Sequence, residues 1–95
     1  MNELLLTGTT PTTASWESDN HMYYATERGF CWNTTGYPTT LDAIQMANVP
    51  TGMGIFSATC TPVAPGGYYW KAYCIIGGVT YYYPYPGSIG FPQSV

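Results

Sequence analysis

The clearest alternation of apolar and polar positions runs from Met53 to Thr61. Phe56, Ala58 and Cys60 fall on one side, and Ile55, Ser57 and Thr59 on the other. A period of two is that of a strand with one buried face. The pattern then changes. From Tyr68 to Tyr83 nearly every position is apolar or aromatic, broken by Gly77-Gly78. A Gly-Gly pair between β-branched and aromatic runs predicts a two-residue hairpin turn, because type I′ and II′ turns need positive φ. Counting outward sets Ile76 opposite Val79, Cys74 opposite Tyr81, Ala72 opposite Tyr83 and Trp70 opposite Tyr85. The other face pairs Ile75 with Thr80 and Tyr73 with Tyr82. Both faces are apolar, so each requires cover. The rest of the chain is organised around this stretch, Met53 to Tyr85.

Other segments carry weaker signals. Asn2 to Thr7 reads as a short strand or extended arm. Gly8 to Asn20, rich in Thr and Ser with Pro11 inside, reads as a linker in which only Trp16 packs on something. Residues 1–20 are therefore expected to form an N-terminal arm, and 21–95 one β-rich domain. His21 to Thr26 and Gly29 to Asn33 read as strands of a hairpin turning at Glu27-Arg28-Gly29. Thr39 to Asn48 is the one helix candidate. Thr39 and Asp42 resemble a capping box, Leu41 and Ile44 share a face, and Pro38 and Pro50 bracket the segment. After Tyr83, three prolines and two glycines predict an extended tail held by Tyr85, Ile89 and Phe91 rather than a central strand.

Composition narrows the function. Of 95 residues only 7% are charged, against roughly 25% in an average domain, and ten are tyrosines. The net charge is −3, and no charged side chain follows Lys71. Two basic residues cannot neutralise a run of phosphates, so no nucleic-acid partner is expected, and an anionic membrane surface is disfavoured for the same reason. No apolar run approaches the roughly 18 residues of a membrane span. MNELLL lacks a secretory signal's basic start and apolar region, so the expectation is either no export by such a signal or a Met1 that opens an excised fragment. A surface so poor in charge suits burial against further copies, or adhesion.

Candidate chemistry is sparse. His21 with Asp19 and any of Cys31, Cys60 or Cys74 could compose a nucleophilic set, but no local signature supports it. Cys60 and Cys74 both fall on expected strands, as a bridge or as buried thiols. Glu17-Ser18-Asp19-Asn20 offers oxygen ligands without a calcium-loop pattern. Gly52-Met53-Gly54 is too short for a phosphate loop. Glu17, Asp19, Glu27 and Asp42 form no evident acid/base pair. Asn33-Thr34-Thr35 matches the N-glycosylation sequon. No catalytic residue, metal site or cofactor is expected. The strongest signal is aromatic: Tyr69, Trp70, Tyr73, Tyr81, Tyr82, Tyr83 and Tyr85 form either a recognition platform or plain packing. Tyrosine suits a platform because its flat apolar ring ends in a polar tip.

Asn48-Val49-Pro50 through Gly54-Ile55-Phe56-Ser57-Ala58, then Tyr69-Trp70-Lys71-Ala72-Tyr73 and Gly77-Gly78-Val79-Thr80-Tyr81, resemble tail-fibre modules of bacteriophages and phage-like bacteriocins. The chain lacks a glutamine common in the second strand of those modules and an arginine common in the third. The resemblance implies a β-rich, trimeric fibre tip that recognises a bacterial surface glycan or protein. The expectation is thus a mainly β protein, a small antiparallel sheet with one short α-helix, completed in a homotrimer. It would serve in a virion, or otherwise outside the cell, as an attachment protein. The alternative is a monomeric carbohydrate-binding or adhesin module.

Overall fold

A computed structural model describes residues 3–92. Among these residues eight strands form two antiparallel sheets packed face to face. The smaller sheet has the order β1 (Leu5–Thr10), β2 (Thr13–Asp19), β5 (Ile55–Cys60). The larger has the order β4 (Ala43–Met46), β3 (Glu27–Asn33), β6 (Gly67–Ile76), β7 (Val79–Tyr83). A last strand, β8 (Ile89–Pro92), pairs with residues 67–70 of β6, beyond the span of β6 that β7 occupies.

The period-two reading of β5 is borne out, with Phe56, Ala58 and Cys60 buried and the residues between them exposed. The hairpin register holds from Ile76–Val79 to Ala72–Tyr83. Gly77 and Gly78 carry φ of 59° and 79°, the two positive values of a type I′ turn. The register ends there, because Trp70 pairs with Ile89 of β8, not with Tyr85. The tail thus contributes a short strand at a sheet edge, where its prolines are tolerated.

Three expectations are corrected. The stretch read as an arm over 1–20 carries β1 and β2. Ala14, Trp16 and Ser18 point into the core between outward Thr13, Ser15, Glu17 and Asp19, so this is an amphipathic strand written in Thr and Ser. No hairpin joins 21–26 to 29–33. Glu27 and Arg28 belong to β3, and 20–26 is a loop whose one β-bridge among the described residues joins Ala25 to Gly52. Among the described residues there is no helix, and Thr39–Asn48 holds β4 instead. Half of the capping box forms: the Asp42 carboxylate accepts the Thr39 N–H at 2.8 Å, whereas Thr39 Oγ1 accepts the Leu41 N–H at 3.2 Å and the Asp42 N–H goes to the Thr39 carbonyl. They close a turn, after which Ala43–Met46 pairs with the open edge of β3. A two-turn helix has little stability of its own, and pairing satisfies the edge's backbone groups.

The core lies between the sheets. Trp32 stacks on Trp70 at 4.9 Å, Trp70 meets Trp16 at 5.0 Å, and Trp16 meets Phe91 at 5.5 Å, a file of rings crossing from one sheet to the other. Phe30 packs on Phe56 at 5.4 Å. The inner faces are therefore closed within one chain rather than completed by a homotrimer. The larger sheet's outer face is partly covered by the chain itself: Lys71 and Tyr73 are buried there, and Pro38 is buried in the loop after β3.

Candidate functional site

The site is built on the β6–β7 hairpin and the loop after β2. Strand pleating sends Tyr81 to the side of Cys74 and Tyr82 to the side of Tyr73. At the turn end of the hairpin, Cys74, Ile76, Tyr81 and Tyr82 bound one wall of a cleft of about 290 Å³, and Asn20 and Tyr23 bound the other. Tyr81 is 50% exposed and Tyr23 61%. Beside them Thr80, Tyr81, Tyr82 and the protruding Tyr85 line a second depression.

The loop carrying Tyr23 is held by a buried polar hub. Arg28, on β3, donates from Nε to the Val49 carbonyl at 3.0 Å. Its Nη1 donates to Asn20 Oδ1 at 2.8 Å and to the Gly54 carbonyl at 3.3 Å. Asn20 Nδ2 donates to the carbonyls of Tyr23 and Gly52 at 2.7 and 2.9 Å. Ala25 and Gly52 exchange backbone bonds, and the Gly54 N–H donates to the His21 carbonyl. The guanidinium also lies 5.2 Å from the Phe56 ring centre. Burial lowers the pKa of Arg28 from the ordinary arginine value, with Asp19 acting in the opposite sense; the group stays charged. These bonds fix two loops, 20–26 and 48–54, whose tips expose Met22, Tyr23, Tyr24, Val49 and Met53.

The seven aromatic residues singled out in the sequence do not form one platform. Both Trp70 and Tyr73 are buried, the first in the ring file between the sheets and the second on the outer face, donating its hydroxyl to Glu27 at 2.6 Å. That bond and burial raise the Tyr73 pKa, burial most. Tyr82 is half-buried and its hydroxyl accepts the Thr40 N–H at 3.1 Å. Tyr83 is half-buried. Tyr81 and Tyr85 face solvent at the cleft end, whereas Tyr69, beside Gly90 and Phe91, faces solvent at the other end of β6. Tyr23, Tyr37 and the Asn20–Arg28 hub were missed. The run Asp19-Asn20-His21, turn formers followed by Met22-Tyr23-Tyr24, was the available signal. His21 does sit at φ 54°.

The remaining candidates take structural places. Asp19 accepts the His21 N–H at 2.7 Å and lies 3.4 Å from His21 Nδ1. All three cysteines are free and buried, so Cys60 and Cys74 are not bridged. Burial pushes the Cys31 and Cys60 thiols up to about 12, and raises Cys74 as well. Glu17 and Asp19 share the outer side of β2 while Ser18 points inward. Among the described residues no three potential metal ligands cluster. Gly52 and Gly54, at φ 126° and 92°, shape the turn that meets Arg28. Asn33 closes its own turn, accepting the Thr35 and Gly36 N–H groups and donating to the Gly36 carbonyl. Both basic side chains, Arg28 and Lys71, are buried. No protein-family model, curated protein or solved structure matches the chain.

Proposed function

We propose that this protein is a recognition module for a cell-surface glycan, serving in an attachment fibre or tip of a virus or phage-like particle, and not an enzyme. The observation that carries the reading is the exposed pair Tyr23 and Tyr81 lining one cleft, with Tyr85 beside it, the first on a loop braced by Arg28 and Asn20. Sugar rings stack their C–H faces on such rings, and a braced loop loses little entropy on binding. The buried, proton-retaining thiols argue against nucleophilic chemistry at neutral pH. The test is an immobilised-glycan array probed with the unaltered chain and with Tyr81→Ala and Tyr23→Ala. Binding to a defined set of glycans, lost in both variants at unchanged melting temperature, is expected. A native chain that retains no glycan overturns the proposal.

A second reading, a monomeric carbohydrate-binding or adhesin module, is favoured by one observation. The chain closes its own core and buries Lys71 and Tyr73 on its outer face without a partner. Light scattering after size exclusion separates the two. A mass near three times 10.4 kDa supports the fibre tip, and a mass near 10.4 kDa supports the single module.

A further inference from the structure

Lys71 is the chain's only lysine. It lies on the outer face of the larger sheet, opposite Cys31 of β3, and is 5% exposed. Burying an ammonium is costly unless something balances the charge. Among the described residues no carboxylate lies within 4 Å of it. Its neighbours are two π faces: the Tyr82 ring centre is 5.2 Å from Nζ and the Tyr37 ring centre 5.7 Å. Asp42, the acid in the loop after β3, is spent on the Thr39 N–H and on Asn33. Cation–π contacts offset part of the cost of burial; the ammonium's tip still reaches solvent, since the one sealed and partnerless polar side-chain atom among the described residues is Trp16 Nε1, and its three donors meet no anion.

The cover over this charge is light. Tyr37 is 66% exposed, and its backbone N–H reaches Ser88 Oγ only at 3.4 Å. Its φ of 49° is one that a bulky side chain adopts at a cost. The other wall is firm, because Tyr82 is fixed by Thr40 through its hydroxyl. The one cation of this face is thus flanked by a lightly held ring and a fixed one, and the hydroxyl of the fixed ring meets that of Thr40.

We infer that Lys71 is the subsite for a sugar bearing one carboxylate, the class of uronic and sialic acids. The inference deepens the glycan reading and rests on it. A single ammonium matches a monoanion, and no second base is at hand for a phosphate dianion, since Arg28 is committed to the hub. The ring and hydroxyls supply what a sugar needs beyond its charge.

The first test uses the full chain with lysine labelled with ¹³C at Cε, which gives one lysine signal. Titration with glucuronate should move that signal, and titration with glucose should not. A signal that glucuronate leaves unmoved overturns the inference, whatever glycans bind elsewhere. The second test uses an array of neutral oligosaccharides with their carboxylated and sulfated counterparts. The carboxylated members should bind roughly tenfold or more tightly than the neutral ones, the worth of one charge-assisted hydrogen bond. Lys71→Met, which keeps the apolar stem, should erase that preference at unchanged melting temperature. Neutral sugars bound as tightly as acidic ones would leave the glycan reading standing and sink the Lys71 assignment. A preference following sulfation instead would sink the carboxylate assignment.

Discussion

Arg28 shows how a single residue organises this end of the molecule. Its guanidinium reaches three acceptors on two loops, 20–26 and 48–54. Arg28→Met would leave Asn20 Oδ1 and two carbonyls short of a donor. The expected loss is about 3 kcal/mol in urea unfolding, on the scale of buried bonds to a charged group. The same variant should loosen the loop carrying Tyr23 and weaken glycan binding beyond the stability loss. Trp16 makes a second residue-scale case. Its Nε1 is buried with no hydrogen-bond partner among the described residues. Trp16→Ala should cost about 3–5 kcal/mol through the cavity it opens. Trp16→Phe should cost far less, because it removes a donor whose burial itself costs about 1–3 kcal/mol. Thermal melts of the two variants check both values.

At the scale of elements, the β6–β7 hairpin is decided by its turn. Gly78→Val asks a β-branched residue to hold φ near 79° and should unfold or aggregate the chain. Gly77→Asn, a residue that tolerates the left-handed region, should leave a soluble protein with a modestly lower melting temperature. A soluble Gly78→Val variant of unchanged stability would contradict the register. This hairpin was legible because glycine chemistry and side-chain period agree over Ala72–Tyr83. The helix over Thr39–Asn48 was misread because the Asp42 carboxylate takes the Thr39 N–H in a turn as it does at a helix start. What separates the two outcomes is the unpaired edge of β3, a tertiary fact. The strand at Thr13–Asp19 was hidden by composition. Threonine and serine look like linker residues, yet they are ordinary outward positions of a strand whose inward ones are Ala14, Trp16 and Ser18.

For the whole molecule, burial of the titratable groups sets how stability responds to pH. The thiols of Cys31 and Cys60 hold their protons to about 12 in the folded chain, whereas an unfolded thiol releases its proton near 9. The folded state then binds more protons than the unfolded one, so stability falls as pH rises through that window. Tyr73, raised in the same sense, adds to the fall. Urea midpoints measured from pH 7 to pH 11 should be flat at first and decline above about pH 9. Iodoacetamide at pH 7.5 should label the cysteines only after unfolding. The candidate site was only partly legible at this scale. Tyr81 and Tyr85 could be picked from the aromatic surplus, but a strand's two sides are assigned by what packs on them. Trp70 therefore went between the sheets and Tyr73 under the cover of the outer face, while Tyr23 and Tyr37, on loops distant in sequence, are exposed. The ring file has an optical consequence. All three tryptophans touch in one stack, two from the larger sheet and one from the smaller. Their electronic transitions couple as a unit, so the near-ultraviolet dichroism of this protein is a gauge of whether the sheets are docked. The part that comes from Trp16 against Trp70 should be lost on sheet separation even where strand content survives, while the Trp32–Trp70 part, internal to the larger sheet, remains.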